Sequence, residues 1–136
     1  MYKFIPKKPV RSFRDLEVYQ TTLEASVIVV KDIKPKLAKL RYPFVTGMTD
    51  CAMWVPLYIG EAHSIRFGDH KTGILLLERA MAGCNKMIIY LEQAKGIYGK
   101  RLDCDLIDDL ISRYSVVRTK IFRLEKSWQK WIEPRR

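Results

Sequence analysis

The chain reads as an all-α protein, an antiparallel up-down four-helix bundle that associates with copies of itself. Three observations predict this. Apolar residues recur at three- and four-residue steps in four successive segments. The 7 glycines and 6 prolines among 136 residues fall mostly at segment edges, which favours long regular elements over a many-stranded sandwich. One segment is more apolar than a single bundle face requires. The length is that of one domain with a sizeable core.

Residues 1–11 form a basic arm without periodicity, carrying Lys3, Lys7, Lys8 and Arg11. The bundle spans 12–133. Ser12 precedes Phe13-Arg14-Asp15 as an N-cap with an acid in the first turn. Leu16, Tyr19, Leu23, Val27, Val30, Ile33, Leu37 and Leu40 then make one helix face. Pro35 falls inside that pattern and either kinks the helix or ends it near Ile33, and Tyr42-Pro43 is the clearer boundary.

The second helix runs from about Phe44 to Ser64, through Pro56. A mid-helix proline costs roughly 3 kcal/mol. No Asn, Gly or Ser cluster beside it ends the helix, so the sequence predicts a kink, with the Ala52 carbonyl losing its donor; the alternative is a turn splitting two short helices. Phe67-Gly68-Asp69 closes this segment, and Asp69 is the candidate N-cap of a third helix reaching about Ala94, with Gly96 and Gly99 bracketing its end. Asp103 or Asp105 opens the fourth helix, which continues to Trp131 or Ile132. Its seam is Leu106, Leu110, Tyr114, Val117, Ile121, Leu124, Trp128 and Trp131. Residues 134–136 are a basic tail.

The third helix carries two adjacent apolar stripes. Ile74, Leu77, Met81, Cys84, Ile88 and Leu91 form one; Leu76, Ala80, Gly83, Met87, Tyr90, Ala94 and Ile97 form the other. A bundle helix needs roughly a 100° stripe, so a neighbouring subunit is expected to cover the second. Leu76, Gly83, Met87, Tyr90 and Ala94 are the expected oligomer interface. The alternative is an unusually central helix within one chain.

Catalytic and metal chemistry lack their patterns. Glu61 and His63 lie about 200° apart on a helix and cannot chelate one ion together. The Glu-x-x-His pair of di-iron bundles, zinc spacing among Cys51, Cys84 and Cys104, phosphate loops and Gly-x-Ser-x-Gly are all missing. Asp103, Asp105, Asp108 and Asp109 read as a dipole-stabilised helix start. No enzyme, metal or cofactor is expected. Three cysteines without close spacing fit reduced thiols, and the first residues hold no apolar signal core; both point to the cytoplasm. No apolar run approaches the roughly 18 residues of a membrane span.

The net charge of +10 implies a polyanionic partner. Arg79 and Lys86 lie seven apart on the third helix. Arg113, Lys120, Arg123 and Lys130 step along the fourth, away from its apolar seam. These six are the candidate nucleic-acid-binding residues. No recognition helix, zinc finger or exposed aromatic platform is apparent, so backbone and shape recognition is expected.

Val55-Pro56-x-x-Ile59-x-Glu61, with Phe13-x-Asp15-Leu16-x-Val18-Tyr19 upstream, resembles the four-helix-bundle family of ribosomal-RNA intervening-sequence proteins and the accessory variability determinants of diversity-generating retroelements. The resemblance runs from about Phe13 to Trp131. The family's Asn and Gly in this motif are replaced here by Tyr58 and Ala62. Lys86 stands where ribosomal-type members carry glutamate, and Trp128-Gln129-Lys130-Trp131 is similar to the end of the last helix in the retroelement branch. The resemblance implies a ring-shaped homo-oligomer, a pentamer, that partners a reverse transcriptase and binds RNA and the RNA–DNA hybrid during mutagenic copying. The alternatives are an intervening-sequence-type bundle or an adaptor whose basic face meets an acidic protein.

Overall fold

The computed structural model describes residues 10–132, with side chains through residue 130. Most of the expected arm, the tail and the Trp131 end of the seam fall outside these residues. Those described form helices and turns and no strand.

A 3-10 turn, Phe13–Asp15, comes first. Ser12 caps this turn, accepting from the Arg14 N–H, while the Asp15 carboxylate accepts from the Ser12 and Arg11 N–H groups at 3.2 and 2.8 Å. The expected N-cap therefore serves the turn. Helix α1 itself starts at Glu17 without a side-chain cap.

Helix α1 is three segments end to end: Glu17–Ile28, a π-helical turn Val29–Ile33, and Lys34–Lys39. The π turn resolves Pro35. The Lys34 N–H donates to the Val29 carbonyl, five residues back, so the α register restarts at Lys34. Pro35 then lies in a first turn, where its missing N–H leaves no gap. The proline neither ends the helix nor interrupts it.

The wider turn also corrects the expected α1 face. Val29, rather than Val30, comes into line with Ile33, and the buried stripe is Val18, Thr22, Ala25, Ser26, Val29, Ile33 and Leu37. Thr22 and Ser26 enter the core because their hydroxyls donate to the Val18 and Leu23 carbonyls at 2.8 and 2.6 Å. Leu23 and Val27 are turned outward, 43% and 48% exposed.

Helix α2, Val45–Ile65, runs unbroken through Pro56, which is buried. Helix α3, His70–Tyr98, is capped by Asp69, whose carboxylate accepts from the Thr72 N–H and hydroxyl at 3.2 and 2.7 Å. It passes through Gly96 and stops at Gly99, which has φ +53. Helix α4, Cys104–Ile132, is opened by Asp103, which accepts from the Leu106 N–H at 3.1 Å.

The four helices alternate in direction. α2 packs against α1 and α3, and α4 packs against α3 and α1, so α1 and α3 stand diagonally. This geometry accounts for the two stripes of α3. One faces α4 and the core; the other, apart from Ile97, which is 57% exposed, lies against α2 of the same chain. Gly83 makes the close approach, since a Cβ there would stand 2.6 Å from Val55 Cγ2. Leu76, Gly83, Met87 and Ala94 are buried in this way, and Tyr90 is half-buried against Gly47. Four of the five residues expected at a subunit interface are thus buried within one chain, while Tyr90 keeps part of its surface exposed.

Glu125 is 4% exposed on α4, and its Oε1 has no hydrogen-bond partner. Burial first, and Glu78 second, raise its carboxyl above the usual range, while Lys126 opposes the shift. A folded-state pKa raised in this way stabilises the fold below the ordinary carboxylate range, and that contribution is lost as pH rises through the folded value. Glu125→Gln is expected to raise stability by about 1 kcal/mol at neutral pH and much less near pH 4, measured as paired thermal melts.

Candidate nucleic-acid interface

The six candidate cations divide by environment. Arg113 Nη1 contacts Glu24 at 2.7 Å and its Nε contacts Asp109 at 2.8 Å. Lys120 pairs with Glu17. Both tie α4 to the acids on α1, and the Glu24 hydrogen bond is the first cause of the raised Arg113 pKa. They are occupied in bracing the bundle rather than standing open for phosphate. Arg79, Lys86, Arg123 and Lys130 are exposed and make no ion pair among the described residues.

A stronger basic surface was missed. Residues 31–41 carry Lys31, Lys34, Lys36, Lys39 and Arg41 against the single acid Asp32. The up-down topology brings Lys100 and Arg101 to the same end, where Lys36 and Arg101 line one hollow with Asp32 and Asp103. All seven cations are exposed, and none makes an ion pair among the described residues. The helix dipole of α1 stabilises two or three of them, at about 0.3–1 kcal/mol each. It does not explain a run of five. The signal was present as charge density in the sequence; reading residues 31–41 only for apolar period passed over it.

Arg41 adds a second signal. Its φ of 62° puts it in the left-handed region. The Tyr42 N–H donates to Leu37 and the Arg41 N–H to Ala38, both carbonyls of the last turn, in a Schellman cap whose left-handed position normally belongs to glycine. Arginine there costs about 1 kcal/mol. Arg41→Gly is therefore expected to raise stability by about that amount while weakening nucleic-acid binding. Thermal melts and a binding titration on the same preparation check both signs.

Two grooves flank α2. On the α1 side, Tyr19, Leu23, Met53, Trp54, Leu57 and Gly60 line an open, largely apolar hollow, with Met53 50% and Leu57 57% exposed. On the α3 side, Asp50, Cys51, Trp54, Tyr58, Arg79, Lys86 and Tyr90 line a second groove of about 430 Å³. Trp54 stands on the ridge between them, stacked on Tyr58 with ring centroids 5.5 Å apart and planes at 23°. This pair, with Trp54 exposed and Tyr58 half-buried, was not anticipated, because the spacing of Trp54 and Tyr58 reads equally well as core.

At the opposite end of the bundle the Arg66 guanidinium sits 4.3 Å over Phe67 and 5.9 Å from the Trp128 ring, and donates to the His63 carbonyl. His63 is buried and its pKa is lowered, by burial first and Arg66 second. The three cysteines are unpaired, and burial pushes the Cys84 thiol up to about 12. Among the described residues no three His, Cys, Asp or Glu side chains assemble as a metal set, and no helix is long and apolar enough to cross a membrane. No family model, curated protein or solved structure matches the chain.

Proposed function

We propose that the chain is a non-enzymatic, cytoplasmic nucleic-acid-binding accessory protein of a diversity-generating retroelement. It partners a reverse transcriptase and binds template RNA and the RNA–DNA hybrid during mutagenic retrohoming. The observation that carries the binding part is the cluster of seven exposed cations without ion pairs at one end of the bundle. Cations left without carboxylates are available to phosphate, and binding releases the counterions condensed on the polyanion. The reverse-transcriptase part rests on the motif around Pro56 and on Lys86.

The same reading includes a ring-shaped homopentamer. Its subunit contact is the α1–α2 face, where Leu23, Val27, Met53 and Leu57 are about half exposed on adjacent helices; Trp54, on the ridge that also lines the α3-side groove, stands at the rim of that contact and stays open toward α3. Ring closure repeats the basic end in every subunit, so contacts that are weak singly add up in salt dependence. That apolar face also favours a second reading, an adaptor that docks a protein there.

Equilibrium titration of random-sequence RNA, an RNA–DNA hybrid and an acidic polypeptide separates the two. The nucleic-acid reading expects both nucleic acids to bind with little dependence on sequence. Binding of the polypeptide alone would overturn it.

A further inference from the structure

We infer that the α2–α3 groove is a stacking platform for unpaired bases, so that the protein prefers single-stranded to duplex nucleic acid. The inference rests on the nucleic-acid reading and deepens it. Trp54 is 52% exposed, is stacked on Tyr58, and lines the grooves on both sides of α2. Gly83 of α3 meets Val55 and Cys51 of α2, and Tyr90 meets Gly47. This register sets the Trp54–Tyr58 pair on α2 beside the stretch between Arg79 and Lys86 on α3. The two cations are exposed and have no ion pair among the described residues.

Seven residues of α-helix separate them by about 10 Å, which is roughly three stacked nucleotides at about 3.4 Å each. Aromatic faces beside backbone cations are the combination that binds single strands without reading sequence, because every base has a π-face. A base held in a duplex cannot reach such a face. Among the described residues Asp50 is the one acid lining the groove; it lies at the Lys86 end and makes no ion pair with that lysine. An acidic protein would be attracted by Arg79 and Lys86 but gains nothing specific from an exposed tryptophan. Charge and stacking together favour a nucleic-acid strand.

The test compares a labelled twelve-nucleotide oligo-uridylate with a twelve-base-pair duplex, by fluorescence anisotropy on the full chain. Trp54→Ala and Trp54→Phe are measured beside wild type, with circular dichroism to verify folding of these surface variants. Wild type is expected to bind the single strand more tightly. Trp54→Ala is expected to weaken single-strand binding about tenfold while duplex affinity stays within twofold, and Trp54→Phe to restore most of the loss. Equal single-strand affinity in wild type and Trp54→Ala overturns the inference, as does an equal loss on both ligands. A Trp54→Ala protein that loses oligomer mass but keeps its single-strand affinity overturns it in favour of a protein contact. Absence of wild-type binding to either ligand overturns the nucleic-acid reading as well, so the two failures are distinct.

Discussion

Replacing Leu76 with glutamate is expected to unfold the chain, not to dissociate an assembly. Leu76 is 5% exposed, on the stripe of α3 that α2 covers. A carboxylate there has no partner and loses its hydration, while the leucine's apolar burial is forfeited; together these cost about 4 kcal/mol or more. That is a large share of the roughly 5–15 kcal/mol by which domains are stable. Urea denaturation followed by circular dichroism measures it. Leu57→Glu is the paired control. Leu57 is 57% exposed on the α1–α2 face, so its replacement should leave the midpoint nearly unchanged while lowering the mass seen in light scattering. A folded Leu76→Glu monomer would restore the α3 interface expected from the apolar pattern.

The second large effect concerns charge. Lys36, Lys39 and Arg41 are exposed at the basic end, without ion pairs among the described residues. Each phosphate contact on a single strand contributes about 0.7 to the slope of log K against log salt. Reversing all three to glutamate is expected to reduce the slope by about 2 and to weaken RNA binding about a hundredfold or more at 0.1 M salt. Helix content should be unaffected, since none of the three packs in the core. Arg113→Glu should behave differently. It would set a third carboxylate beside Glu24 and Asp109, loosening α4 from α1 with little effect on the salt slope. Electrophoretic or anisotropy titrations at four salt concentrations distinguish the two variants.

Much of the fold was legible along the chain. The fourth helix could be placed because its seam has one face, a clear acidic start and basic residues at its end. Pro56 was readable as an internal proline because nothing beside it could form a turn. The α1 face was not legible. Thr22 and Ser26 look polar in sequence, and their hydroxyls become buriable only by bonding their own helix. The π turn ahead of Pro35 then changes which residues align. The destination of α3's second stripe was hidden for a different reason. A surplus of apolar positions does not say whether a neighbouring helix belongs to the same chain. Gly83 held the hint, since a small residue amid large ones permits close approach.

The candidate site was less legible than the fold. Arg79 and Lys86 were identified from spacing, and both are exposed. Arg113 and Lys120 were identified by the same rule, yet they meet Glu24 and Glu17, which lie 89 and 103 residues away in sequence. Pairing across such distances depends on topology and on register between helices, which apolar period does not fix. Lys100 and Arg101 join the 31–41 run for the same topological reason.

The central claim is that cations without carboxylate partners bind nucleic-acid phosphate. The salt dependence of wild-type RNA binding tests it most directly. Affinity should fall linearly on a log–log plot between 50 and 200 mM salt, with a slope of about −3 or steeper and nearly the same value for unrelated sequences. A slope near zero, or no binding at 50 mM salt, would contradict it.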